Sequence, residues 1–417
     1  MLEATEIVVI AVGTVLLLLM VLLILFAWSY YRDSQRRLHY EARKRAVRDY
    51  YLDEPASPAK LKPAQAQNEI NVEEVKYMER KLETDENMNV EAVEVVERPR
   101  QLYLPHLITG LMPAESVSTE HCISKFPSIM KLIHKDNNRV LKEEFKFLDD
   151  AQNRRYQLTT TATMHNDFNR YHDVLPFDEN RIALSHQIGN GYINASPILG
   201  FNTKTYHFIA AMGPMDADEA YDRGKRATVD QFWAMIVQKN VQHIVMLTET
   251  TENGVAKCAQ YWPKDVGEAV NYDGEITVVL VTETHDNICT TREFNVEFKG
   301  YLRRIRQFHY KSWNDRMGVE NQWQLARFVE RVMQVKDRPI LVHCSAGIGR
   351  TGVFIALFNI YDRAKKEGIV NVYEEVNNLR RQRRGMVLTL EQYICIYDTL
   401  LYLIDPPVAP AAGVKHY

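Results

Sequence analysis

Hydrophobic positions follow three regimes along this chain. From Ile7 to Trp28, 22 consecutive residues carry no charge. As a helix rising 1.5 Å per residue, such a run covers about 33 Å, enough for a hydrocarbon core of about 30 Å. Glu3 and Glu6 precede it where a secretory signal has basic residues, and no small-x-small cleavage site follows. The run therefore reads as a transmembrane anchor. Residues 29–114 are polar and lack a sustained period. From 115 to 405, short apolar runs (His243–Thr248, Ile276–Val281, Pro339–His343) alternate with helical patterns at Thr228–Lys239, Gln322–Val335, Thr351–Lys366 and Leu390–Ile404. That alternation predicts one large mixed α/β domain. Proline and alanine dominate 406–417, which reads as a disordered tail.

Charge orients the anchor. Between Tyr30 and Arg48 lie seven basic residues against two acids, so the positive-inside rule leaves residues 1–6 outside and everything after Trp28 cytoplasmic. This is a single-pass membrane protein on that reading. Pro55, Pro58 and Pro63 mark a linker, and the ten acidic residues between Glu69 and Glu97 read as a solvated spacer. A net charge of −3 with 46% apolar residues shows no domain-wide basic excess, which argues against nucleic acid as a partner. Five scattered cysteines without CxxC spacing fit a reducing compartment. The sequon Asn194-Ala195-Ser196 is expected to go unused there. No internal repeat is visible, and the oligomeric state is left open.

Residues 342–353 carry the chemistry: VHCSAGIGRTGV. An apolar strand pattern leads in, a glycine-bearing loop follows, and a helical pattern begins at Thr351. Strand, tight loop and helix N-terminus together make an anion site, because successive N–H groups and the helix dipole face one point. Cys344 opens the loop, where that field favours a thiolate nucleophile. Arg350 closes it with a planar fork suited to two phosphate oxygens. Ser345, Ala346, Gly347, Ile348 and Gly349 between them carry no charged or aromatic side chain, so backbone amides can approach a tetrahedral oxyanion. His343 and Thr351 flank the loop as supporting residues.

With these motifs the sequence resembles the classical protein tyrosine phosphatases. Asn169-Arg170-Tyr171-His172-Asp173 looks like the family's phosphotyrosine-recognition loop, Tyr192–Ser196 like its YINAS strand, and Glu252–Pro263 like the segment whose glutamate and lysine brace the catalytic loops. Gln307–Trp313 leads into a stretch resembling the mobile acid loop. The resemblance implies a twisted mixed β-sheet flanked by helices on both sides, preceded here by one transmembrane helix. It implies hydrolysis of phosphotyrosine on proteins through a phosphocysteine intermediate, without metal or cofactor. Cys344 is then nucleophile, Arg350 clamp, Asp315 general acid and Gln392 the positioner of water. Tyr171 walls a deep pocket, Asp173 holds the peptide backbone, and Glu252 and Lys257 support.

Three departures qualify that reading. The family's Trp-Pro-Asp-x-Gly-Val-Pro is here Trp313-Asn314-Asp315-Arg316-Met317-Gly318-Val319-Glu320, with two prolines lost and one residue gained. Fewer fixed φ angles should widen the loop's conformational range. Leu388 stands where the family has a glutamine that positions the hydrolytic water, so the second step should slow and phosphocysteine accumulate. Met212 replaces a glutamine with no consequence evident from sequence. Two other functions stay open. A catalytically weak phosphotyrosine-binding adaptor is favoured by the altered loops, and a phosphoinositide phosphatase is disfavoured by the uncharged 345–349 segment.

Overall fold

The computed structural model describes residues 119–185, 191–313, 317–319 and 321–406, all within one unit of the chain, residues 96–417. The expected anchor at 7–28, the linker at 29–114 and nearly all of the tail lie outside the described residues. Among those described, no helix is long and apolar enough to cross a membrane.

The strands are β1 (His121–Cys122), β2 (Ala195–Leu199), β3 (Tyr206–Ala211), β4 (His243–Met246), β5 (Thr251–Glu252), β6 (Val255–Ala256), β7 (Ala269–Tyr272), β8 (Ile276–His285), β9 (Thr290–Phe298), β10 (Tyr301–His309), β11 (Ile340–His343) and β12 (Ile369–Val370). The helices are α1 (Phe126–Ile133), α2 (Lys135–Asn153), α3 (Thr160–Met164), α4 (Ala217–Asp222), α5 (Val229–Gln238), α6 (Gln322–Met333), α7 (Gly349–Glu367), α8 (Val372–Gln382) and α9 (Leu390–Ile404). Eight strands form one sheet in the order β2-β3-β11-β4-β10-β9-β8-β7. Its centre is parallel, β3 with β11, β11 with β4 and β4 with β10; both flanks are antiparallel.

Strand composition follows position. β4 and β11 are buried at every residue, as central parallel strands covered on both faces must be. β8 and β9 alternate buried and half-exposed positions over most of their length, the pattern of a sheet with one wet face. Alternate residues feed two cores. Phe208, Ala210, Val245, Ile340 and Val342 join one with Phe328, Phe354 and Tyr397, from α6, α7 and α9. Ile209, Ala211, Ile244, Met246 and Leu341 join the other with Phe232 and Trp233 of α5. The expected mixed sheet with helices on both sides is present.

Boundaries moved modestly. β8 runs four residues past Val281 through a bulge between Leu280 and Thr282. α7 starts at Gly349 rather than Thr351, which places Arg350 in its first turn. Asn321, Asn371 and Thr389 cap α6, α8 and α9 by accepting the N–H of the residue three further on. Ile348, preceding α7, supplies no side-chain cap, so that helix opens directly onto the glycine loop.

Leu341 is fully buried in the central strand, and Leu341→Ala should cost about 2–5 kcal/mol. Urea unfolding of the variant beside the wild-type chain measures that loss.

Candidate active site

β11 ends at His343, at the C-terminal end of the parallel strands, and from Cys344 the chain wraps through Ser345–Ile348 into α7. The carbonyls decide the shape of this loop. Cys344 O accepts from the His343 ring at 3.2 Å. Ser345 O accepts from Gly213 N–H at 3.0 Å and from Arg170 at 3.3 Å. Arg383 donates to Ala346 O at 3.3 Å and to Gly347 O at 2.9 Å. Ile348 O accepts from the N–H groups of Gly352 and Val387 at 2.9 and 3.1 Å. Each carbonyl from 344 to 348 is thus drawn outward. In a planar trans peptide the next residue's N–H points the opposite way, which turns the amides of 345–349 inward. Gly347 N–H duly donates to Cys344 Sγ at 3.3 Å. Gly347 has φ +72°, and a Cβ there would lie 2.2 Å from Ala211 O, so no other residue fits this turn.

Arg350 is fixed in place. Its side chain is 1% exposed, and its two terminal nitrogens meet the two Glu252 oxygens at 2.6 and 3.0 Å. Nη1 also donates to Leu247 O and to Trp313 O, both at 3.1 Å. Trp313 begins the expected acid loop, so Arg350 is tied to that loop's base. Removing one partner of such a buried pair costs about 3–5 kcal/mol.

Of the other predicted residues, Tyr171 places its hydroxyl 3.0 Å from Ser345 Oγ, at the rim of the loop, while Asp173 is solvent-exposed. Lys257 meets the site through its backbone, its carbonyl accepting from Arg170 at 2.6 Å. Thr351 Oγ1 is buried without a hydrogen-bond partner among the described residues. Gln392 accepts Leu388 N–H on Oε1 at 3.0 Å, and its amide packs against Gly349, where a Cβ would lie 2.8 Å from Nε2. Leu388 itself is 40% exposed. Asp315, with Asn314, Arg316 and Glu320, lies outside the described residues. Met212 takes a definite place: its sulfur accepts Arg170 N–H at 3.2 Å.

Sequence reasoning missed the roles of three arginines. Arg170 binds Glu219 bidentately at 2.7 Å on both oxygens and also reaches Gly213 O and Pro214 O. Arg383 is 1% exposed and has no carboxylate among its hydrogen-bond partners in the described residues; besides the loop carbonyls it donates to Asn194 Oδ1 at 2.7 Å and Ser196 Oγ at 3.2 Å. Burial lowers its pKa to about 10, which leaves it cationic at neutral pH. Asn194 in turn donates to Asn169 Oδ1, so Arg383 reaches the segment that carries Tyr171. A third, Arg380, grips the carbonyls of Met386 and Val387. Val387 has φ +60°, a strained position for a β-branched residue.

A family model described as protein-tyrosine phosphatase matches residues 165–402, the segment that holds the loop, its bracing arginines and the glutamine helix. The chain belongs to the protein-tyrosine phosphatase family. Curated relatives of the family include chicken receptor-type tyrosine-protein phosphatase eta, 35% identical over 68% of this chain and 20% of that protein. Human receptor-type tyrosine-protein phosphatase alpha is 36% identical over 73% of this chain and 37% of its own, and rat receptor-type epsilon 37% identical over 64% and 38%. The chain therefore spans only about a fifth to two fifths of these relatives.

Two buried histidines bear on the stability of this phosphatase fold. Burial lowers His343 to about 4 and His309 to about 3, so both are neutral in the folded state. The unfolded chain binds protons on them below about 6.5, which makes the folded state lose stability as pH falls from there towards 4. Thermal unfolding should show a lower Tm at pH 5 than at pH 7, and a smaller drop in His309→Asn.

Proposed function

We propose that this chain is a membrane-anchored protein tyrosine phosphatase whose catalytic domain faces the cytoplasm. The observation that carries the reading is the thiol of Cys344 inside a loop whose carbonyls are all engaged from outside. Such a loop can stabilise a transferring phosphoryl group on its equatorial oxygens. Arg350, held by Glu252 before any ligand arrives, loses little side-chain freedom on clamping two of those oxygens.

In the first step Cys344 Sγ attacks phosphorus in line and the bond to the tyrosyl oxygen breaks. Asp315 gives that oxygen its proton, so a neutral phenol leaves. In the second step water attacks phosphorus, Asp315 takes its proton, the S–P bond breaks, and inorganic phosphate leaves with the thiolate restored. Tyr171 at the rim supports selection by depth: a phosphotyrosine reaches the loop floor and a phosphoserine does not. Exposed Asp173 suits the backbone N–H groups of a bound peptide. The 22 uncharged residues of 7–28 support the anchor, which raises the local concentration of membrane-bound phosphoproteins. The chain's resemblance to proteins named receptor-type agrees with that placement.

Water positioning falls to Gln392 alone, because Leu388 offers only a backbone N–H and that N–H is already spent on Gln392. The second step should therefore limit turnover. Rapid mixing with p-nitrophenyl phosphate should give a burst of about one equivalent of product before a slower steady state, and Cys344→Ser should give neither. Leu388→Gln should raise the steady-state rate and shrink the burst. A folded wild-type chain that binds a phosphotyrosine peptide yet shows no burst and no turnover would support the adaptor instead.

A further inference from the structure

Behind the phosphate loop, on the opposite side of the central strands from α7, a buried arginine joins both ends of the site. Arg292 of β9 is 5% exposed, lies 4.5 Å from the centre of the Trp262 ring and pairs through Nε with Glu283. Its Nη1 serves two acceptors, Gln307 Oε1 at 2.8 Å and His309 Nδ1 at 3.2 Å. A guanidinium only donates, so one nitrogen sends its two protons down two separate paths.

The first path runs to the nucleophile. With Oε1 turned to Arg292, Gln307 presents its NH2 group to the Tyr261 oxygen at 2.7 Å. Tyr261 then directs its own proton to His343 Nε2 at 2.9 Å. His343 is neutral in the fold, so its single proton sits on Nδ1 and faces Cys344 O at 3.2 Å. The far end demands the same direction, since a carbonyl only accepts. Every bond in the series therefore points from Arg292 towards Cys344, and aligned bonds of this kind polarise one another.

The second path runs to the clamp. His309 accepts from Arg292 on Nδ1, so its Nε2–H donates to Thr248 O at 2.8 Å. The Thr248 hydroxyl donates to Glu252 Oε1 at 2.9 Å, the oxygen that meets Arg350 Nη1 at 2.6 Å.

We propose that Arg292 is a positioning residue for both ends of the phosphate loop, orienting Cys344 through Gln307, Tyr261 and His343, and Arg350 through His309, Thr248 and Glu252. The inference rests on the phosphatase reading and adds to it a division of labour. The first path governs the chemical step and the second governs phosphate affinity. Breaking one hydrogen bond in either should move the matching quantity by about tenfold.

The test uses the full chain with p-nitrophenyl phosphate as substrate and inorganic phosphate as competitor. Gln307→Leu should lower kcat about tenfold and leave the phosphate inhibition constant within about twofold. Thr248→Val should raise that constant about tenfold with kcat less affected. Arg292→Lys should do both, and adding Gln307→Leu to it should lower kcat no further, because the two residues act in one series. Glu283→Gln, which removes the ion pair and leaves both Nη1 contacts, should retain kcat and phosphate affinity. If Arg292→Lys fails to fold, the opposite signatures of Gln307→Leu and Thr248→Val still decide. Three results would overturn the proposal alone, given an active wild type: Arg292→Lys matching it within about twofold, multiplicative losses in the double variant, or one common signature for both paths. A wild-type chain without turnover would instead sink the phosphatase reading and this inference with it.

Discussion

A loop that aims its amide N–H groups at one point must aim its carbonyls away from it, because both belong to the same planar peptides. Those carbonyls then need donors, or the buried loop carries unsatisfied polar groups. Here the requirement is met largely by two buried guanidiniums and by backbone N–H groups from Gly213, Gly352 and Val387. Arg170 has a carboxylate partner in Glu219. Arg383 is bonded, among the described residues, to neutral oxygens only. A desolvated cation so placed is costly unless its donors are well satisfied, and four acceptors offset that cost. The same arginine touches Asn194, which connects to Asn169 and so to the segment bearing Tyr171. The loop and Tyr171 at its rim are therefore set by one polar framework.

The central sheet makes that framework rigid. β3, β11 and β4 lie side by side in register, and Gly347 closes onto Ala211 O at the end of β3, so the loop is folded against a strand end. Arg350, at the start of α7, is tied to Glu252 on β5 and to the carbonyls of Leu247 and Trp313. Cys344 and Arg350 thus hang from neighbouring parts of one scaffold. The hydrogen bonds that leave Arg292 cross behind them and meet both.

Much of this was legible in the amino-acid pattern, and what was not has a physical reason. The strand–loop–helix unit at 340–367 was readable because glycine spacing, an apolar lead-in and an arginine at a fixed offset are all local signals. Arg380 and Arg383 were not, since they sit in a run, Arg380-Arg381-Gln382-Arg383-Arg384, that looks like a solvated basic face. Nothing in the run itself separates them from exposed Arg384, because Arg383 lies just past α8 with an extended backbone. The path from Arg292 joins residues 292 and 307 on neighbouring strands to 343 at the end of β11 and to 261 in the loop after β6, and no local pattern announces such a contact. Met212 shows a further limit: a thioether accepting Arg170 N–H is a tertiary fact. The β8 extension escaped because its last residues, Thr282–His285, are polar and largely exposed, so the apolar run ends before the strand does.

The account stands on the loop being an oxyanion cradle already formed by its outward bonds. A crystal structure of the protein with tungstate measures this most directly. The account predicts the ion beside Cys344 Sγ, its oxygens on the amides of 345–349 and on Arg350, with Arg170 and Arg383 still holding the carbonyls behind. Tungstate bound elsewhere, or a loop that must turn its peptides over to accept it, would contradict the account.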